Sequence, residues 1–270
     1  MLKTEARNPK TMHLDRMETA EMLKVISEEN FNAVKAVDNC LDQIGAAVDA
    51  VTAAMREGGR LIYVGCGTSG RLGVLDASES CPTFGVDEGT IVGVMAGGVE
   101  ALYRAGEPEE DSAEFGVRDL KKLGLRAADI VVGISAAGGA EYVLAAVDYA
   151  KSVGCKVVGV TCNAESALAR KADFAIVTDT GAEVVTGSTR MKAGTAHKLV
   201  LNMLSTCAMV KLGNVYENLM VNLQPTNAKL KDRMVRIVAD IHHVDLAKAR
   251  ELLEASGWNI RGTLVATSAT

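Results

Sequence analysis

Short apolar runs alternate along this chain with longer stretches of helical spacing. The runs at 60–66, 90–95, 129–135, 156–162 and 174–178 are β-branched and bounded by glycine or polar residues. Between them, stretches such as 113–123 and 140–153 repeat apolar residues every three or four positions. Near-continuous apolar strands separated by helices predict a parallel sheet covered on both faces. The expectation is five strands in a doubly wound α/β fold, with ligands bound at the carboxyl ends of the strands. The turn after the first strand, the segment 135–139 and the segment after Thr178 all fall at those ends. Ahead of the sheet, 19–55 reads as two amphipathic helices with Asn30 breaking the pattern between them. Behind it, 193–212 reads as one long apolar helix. From Asn227 onward the chain reads as polar and helical, with a further helix over 247–258. The organisation expected is a helical segment over 1–56, a sheet domain over 57–225 and a small helical unit over 226–270.

Composition adds bounds. The 270 residues are 48% hydrophobic and 23% charged, ordinary for a globular chain that buries a core. A net charge of −5 argues against a nucleic-acid surface, and no apolar run is long enough to span a bilayer. Residues 1–15 are polar with no signal-peptide core, so the cytoplasm is the expected compartment. Cys40, Cys66, Cys81, Cys155, Cys162 and Cys207 form no C-x-x-C pair and read as reduced thiols. His13, His197, His242 and His243 lack zinc-ligand spacing, so no metal is expected.

The most informative chemistry lies at Gly65-Cys66-Gly67-Thr68-Ser69-Gly70-Arg71, directly behind the first strand. A strand that turns through glycines into a helix presents backbone N–H groups, backed by the positive end of the helix dipole, to an anion. Gly65, Gly67 and Gly70 satisfy G-x-G-x-x-G, but the second strand ends Met95-Ala96-Gly97-Gly98, without the acid that a dinucleotide fold uses on its ribose. No Walker lysine follows. The hydroxyls of Thr68 and Ser69 suit a terminal phosphate monoester, and Ser135 at the end of the third strand is placed to add another. Capping of the following helix alone would use the same N–H groups.

The run Glu183-Val184-Val185-Thr186-Gly187-Ser188-Thr189-Arg190-Met191-Lys192-Ala193-Gly194-Thr195-Ala196 narrows the reading. Together with 67–73, Leu75-Asp76-Ala77-Ser78-Glu79, Thr4-Glu5-Ala6-Arg7-Asn8, Leu14-Asp15, Asn218-Leu219-Met220-Val221 and Thr226-Asn227, it resembles the N-acetylmuramic acid 6-phosphate etherases. The likeness runs over nearly the whole chain. It implies a three-layer αβα sugar-isomerase (SIS) domain with a flavodoxin-like five-stranded parallel sheet. A distant likeness to the non-catalytic regulatory protein of glucokinase accompanies it.

The resemblance implies removal of D-lactate from N-acetylmuramic acid 6-phosphate, giving N-acetylglucosamine 6-phosphate. That chemistry needs a base for the C2 proton of the open-chain sugar and an acid for the departing ether oxygen, and no cofactor. The family pattern makes Glu79 the acid. Glu79 reads as the far end of a short helix over 72–80, where the dipole opposes a carboxylate's charge. A glutamate immediately before Asp-Ser makes Glu110 the base, although the cluster at 107–112 would serve equally as helix-start acids. Substrate-binding residues expected are Gly67, Thr68, Ser69, Gly70, Arg71, Ser78, Ser135, Gly138 and Lys192. Lys192 or Arg190 would neutralise the phosphate or the lactate carboxylate, or form a surface or subunit-interface ion pair. His197 reads as structural or interfacial. Where the family carries a Ser-Gly-Arg-Thr-Pro-Tyr loop, this chain has Ala137-Gly138-Gly139-Ala140-Glu141-Tyr142, losing a hydroxyl and a guanidinium. Residues 79–83 also depart from the family's Glu-Cys-Pro-Pro-Thr, and the helical tail is shorter than the pattern. A sugar-phosphate-binding regulatory protein and a phosphosugar isomerase stay open as alternatives. The apolar excess of the flanking helices, with the resemblance, points to a homodimer.

Overall fold

The computed structural model describes residues 2–104 and 109–267. Three short 3-10 turns (Lys3–Glu5, Pro9–Thr11 and Leu14–Arg16) precede α1 (Thr19–Asp38) and α2 (Leu41–Arg56). The alternating region follows: β1 (Leu61–Gly65), α3 (Gly67–Phe84), β2 (Ile91–Met95), α4 (Glu100–Tyr103), α5 (Ala113–Lys122), β3 (Ile130–Ile134), α6 (Glu141–Val153), β4 (Lys156–Thr161), α7 (Ala167–Lys171) and β5 (Phe174–Val177). The chain continues through α8 (Lys192–Lys211), a hairpin of β6 (Val215–Tyr216) and β7 (Leu219–Met220), then α9 (Ala228–His242), α10 (Leu246–Ala255) and α11 (Ile260–Thr267).

The five long strands are parallel in the order β2-β1-β3-β4-β5, the flavodoxin-like order expected. Each observed strand lies within one residue of its expected bounds at either end. β1 and β3 are buried along their whole length, because helices cover both faces. On one face Ile62, Val64, Val131 and Val157 pack with Leu120, Tyr142, Val143 and Leu168 from α5, α6 and α7. On the other, the Tyr63 hydroxyl donates to Asp76 of α3 at 2.7 Å. The same carboxylate accepts from Asn202 at 2.6 Å and Ser205 at 3.2 Å, both on α8. A buried carboxylate is costly unless its lone pairs are filled. Here three donors fill them, and β1, α3 and α8 are tied together in the process.

The chain divides into two compact units. The first comprises Met1–Ala77 and Gly89–Ala208, the second Ser78–Glu88 and Met209–Thr270. This differs from the expected division at 56 and 225. The N-terminal helices group with the sheet because α2 buries Ile44, Ala47, Val48 and Val51 and packs on β3 and β5. The second unit has its own core, built from Val221, Leu223, Met234, Val238, Leu253 and Ile260.

Two sequence readings are corrected. α1 runs straight through Asn30, and the break falls at Asn39–Cys40, where Cys40 adopts φ −123°, ψ 22°. An exposed Asn costs well under about 1 kcal/mol inside a 20-residue helix, too little to outweigh its buried face of Ala33, Ala36 and Val37. α3 is also longer than expected, continuing through Pro82 to Phe84. Glu79 therefore sits inside a helix rather than at its carboxyl end, and the dipole argument for it lapses.

Candidate functional site

A cavity of about 250 Å³ opens at the carboxyl ends of β1 and β3. Its walls are Cys66, Gly67, Thr68 and Ser69 from the glycine turn, Ile134–Ala137 and Ala140 from the loop after β3, Glu110, and Thr189. No Lys or Arg stands among these lining residues, so a bound anion would meet N–H groups and hydroxyls rather than a cation.

The turn is shaped by close approach. A Cβ on Gly70 would lie 2.6 Å from the Gly65 carbonyl oxygen, and one on Gly65 would lie 2.7 Å from the Gly70 nitrogen. Only glycine at both places lets the first turn of α3 press onto the end of β1, which is what aims its N–H groups into the cavity. On the opposite wall Ser135 is buried, and its Oγ accepts from the Gly138 N–H at 3.1 Å. That leaves the Ser135 O–H as a donor. Gly138 has φ +73°, and a Cβ there would lie 2.4 Å from the Ser166 side chain.

Of the expected residues, Gly67, Thr68, Ser69, Ser135 and Glu110 come together around this cavity. Gly70 and Gly138 shape it from behind. Arg71 is used otherwise: its guanidinium donates to the carbonyls of Ala101, Leu102 and Arg104, holding the loop after β2. Lys192 is also placed elsewhere. Its side chain is 1% exposed and its Nζ donates to Glu29 at 2.5 Å and to the Ala182 carbonyl at 2.6 Å. The geometry displays an ion pair buried within the chain, neither an anion ligand in this cavity nor the surface or interface pair the sequence offered. Arg190 is exposed. Ser78 and Glu79 are exposed on α3 in the segment that belongs to the second unit. Glu107 and Pro108, from the acidic run before α5, lie outside the described residues.

Two cavity residues were not singled out by sequence. Thr189 stands at the end of Gly187-Ser188-Thr189, a hydroxyl run whose composition matches the glycine turn. Cys66 reads from sequence only as a reduced thiol. It is 8% exposed. Burial pushes the thiol up to about 12, and the carboxylates of Glu110 and Asp111 add to the effect. The thiol therefore stays protonated on the cavity wall. His197, on α8, is fully buried with its Nε2 3.5 Å from Cys162 Sγ, which matches the structural reading.

Comparison with known proteins agrees with this fold. The glucokinase regulatory protein N-terminal SIS domain model matches residues 43–151, and the SIS domain model matches residues 116–206. Among solved structures, a phosphoheptose isomerase from Francisella tularensis superposes with TM-score 0.55 at 19% identity, covering 71% of this chain and 98% of that one. The Vibrio vulnificus NanR protein complexed with ManNAc-6P gives TM-score 0.52 at 14% identity, covering 83% of this chain and 70% of that one. Fold and cradle together define an SIS-domain protein. At the level of sequence, the chain is 50% identical to an N-acetylmuramic acid 6-phosphate etherase of Pectobacterium atrosepticum over 264 residues, 98% of this chain and 87% of the relative. It is 47% identical to one from an Exiguobacterium species over 98% of this chain and 90% of that relative. The chain belongs to the N-acetylmuramic acid 6-phosphate etherase family.

Proposed function

We infer that this chain cleaves the lactyl ether of N-acetylmuramic acid 6-phosphate, releasing D-lactate and N-acetylglucosamine 6-phosphate. The observation that carries the reading is a carboxylate, Glu110, on the wall of a cavity otherwise built for a phosphate ester. The phosphate is held by the N–H groups of the glycine turn and the hydroxyls of Thr68, Ser69, Ser135 and Thr189. The open-chain aldehyde acidifies C2–H, and Glu110 takes that proton. The electron pair forms a C2–C3 double bond, and the C3–O bond to lactate breaks. A general acid, a role the family pattern gives to Glu79, protonates the departing oxygen. Water then adds across the double bond, its oxygen to C3. That acid receives the water's proton and Glu110 returns the first one to C2. Each carboxyl group ends as it began, and no electrons leave the sugar, so the steps call for no redox group or metal.

The reading includes a homodimer. α1 turns Leu23, Phe31 and Val34 outward on one face at 62%, 65% and 48% exposure. An apolar stripe of that kind suits a second copy of the chain. The location is the cytoplasm. Among the described residues no helix is long and apolar enough to cross a membrane.

Incubation with N-acetylmuramic acid 6-phosphate and assay of D-lactate tests the reaction, with one lactate expected per sugar consumed. The glucokinase-regulator match and the missing guanidinium at Gly139 favour a second reading, a sugar-phosphate sensor. Tight hexosamine-phosphate binding without lactate would select it.

A further inference from the structure

Three separate parts of the chain, the turn at 8–10, α1 and the start of α8, meet on one buried carboxylate far from the sugar-binding turn in sequence. Glu29 of α1 is 3% exposed. Its Oε2 accepts from Lys192 Nζ at 2.5 Å and from Asn8 Nδ2 at 2.8 Å, while its Oε1 accepts from Lys10 Nζ at 2.8 Å. Burial alone would raise its pKa. The hydrogen bonds from Lys10, Lys192 and Asn8 win, holding the carboxyl at about 2. Both charges of the Glu29–Lys192 pair are thus kept inside the fold.

The pair is tied to the cavity by a short chain of contacts. Lys192 Nζ and Asn8 Nδ2 both donate to the Ala182 carbonyl, at 2.6 and 3.3 Å. The next residue, Glu183, is fully buried. Its carboxylate accepts the N–H groups of Lys192 and Ala193 at 3.1 and 2.9 Å, fixing the start of α8. In the first turn of α8, Gly194 N–H donates to the Thr189 carbonyl at 2.9 Å. A Cβ on Gly194 would lie 3.2 Å from Thr68 Cγ2. Thr189 and Thr68 both line the cavity.

We propose that Glu29 is a positioning residue for the phosphate cavity. It holds Lys192, Lys192 and Glu183 set the start of α8, and that start places Thr189 in the cavity wall that Thr68 shares. The N-terminal segment and α1 thereby take part in setting affinity for the phosphate without touching it. This rests on the phosphosugar reading of the cavity, and the test separates the two. Turnover by the unaltered protein decides the reaction. The positioning role is read from variants, by kinetics and by calorimetric titration with glucosamine 6-phosphate, which needs no turnover.

Glu29→Gln is expected to raise KM, and the dissociation constant for glucosamine 6-phosphate, by about tenfold, with kcat within about twofold. Glu29→Gln combined with Lys192→Met should do no worse than Glu29→Gln alone, because the two charges act as one unit. The double variant leaves no uncompensated buried charge, so it carries the test if the single variant does not fold. Circular dichroism and the melting temperature establish the folded fraction. Unchanged phosphate affinity in whichever of the two variants folds would overturn the proposal. So would effects that multiply in the double variant, or a loss confined to kcat.

Discussion

The backbone N–H of Tyr142 donates to the carbonyl of Glu110 at 3.0 Å. Glu110 precedes α5, and Tyr142 opens α6 directly behind the altered loop at 137–140. The same tyrosine hydroxyl donates to Asp119 of α5 at 2.9 Å. The Tyr142 carbonyl leaves no room for a Cβ at Gly116, which would sit 2.1 Å away. α5 and α6 are thus locked face to face, and the turn carrying Glu110 is held by backbone. Glu110, the base in the proposed reaction, is thereby held at the cavity wall by a main-chain contact.

Glu110→Gln keeps that backbone contact and removes the proton acceptor. Lactate release should fall at least about a hundredfold, within the usual range for losing a general base. Binding of N-acetylglucosamine 6-phosphate should change little. Exchange of the product's C2 proton with deuterated water, followed by NMR, reports the same step and should stop. Exchange that continues in the variant would assign the base to another group.

The sheet was legible because parallel strands buried on both faces read as uninterrupted apolar runs, which leave a mark in any single sequence. The cavity was half legible. Gly67, Thr68, Ser69 and Ser135 stand where a strand ends, a position that chain order reveals. Thr189 lies twelve residues beyond β5, in a loop whose path depends on α8, so no periodicity located it. The buried pairing of Lys192 leaves no mark in the sequence, because its partner Glu29 lies 163 residues away and spacing carries no sign of such a pair. The expected break at Asn30 rests on a propensity worth about a few tenths of a kcal/mol, which tertiary packing overrides.

Two neighbouring glycines should behave in opposite ways. Gly138→Ala meets Ser166 Oγ at 2.4 Å and Thr161 Oγ1 at 2.7 Å in a left-handed conformation. It should lose about 1–3 kcal/mol of stability and weaken sugar-phosphate binding together. A Cβ on Gly139 meets nothing within 4 Å. Gly139→Ala should stay within about 0.5 kcal/mol of the parent in denaturant unfolding. Equal behaviour of the two would mean the loop adopts another path.

Thiol labelling offers an independent view of the cavity. Cys207 is exposed, whereas Cys66 is buried and its thiol pKa is further raised by the charges of Glu110 and Asp111. At mildly alkaline pH, iodoacetamide should modify Cys207 first and leave Cys66 among the slow sites, as peptide mass spectrometry can read. Glucosamine 6-phosphate should slow Cys66 further and leave Cys207 unchanged. The same inertness matters chemically, because a thiolate at this wall would add to the unsaturated aldehyde formed by elimination. Rapid labelling of Cys66 would contradict the position given to it.

His197 should give the fold a distinct dependence on pH. Burial pushes its pKa down from 6.5 to about 4. Between those values the unfolded chain binds a proton that the folded chain refuses. The stabilising contribution is therefore complete above about pH 6.5 and is lost as pH falls toward about 4. From about pH 6.5 to about pH 5 the loss from this one group is roughly 1.5 kcal/mol. Glu29 does not confuse that window. Its folded pKa of about 2 lies below the ordinary 4.5, so its contribution is lost only as pH falls from about 4.5 toward about 2. Denaturant unfolding of the parent and of His197→Gln at both pH values isolates the effect. The stability difference between the two proteins should shrink by about that amount at the lower pH. A difference that stays constant would show that the imidazole titrates freely in the folded protein.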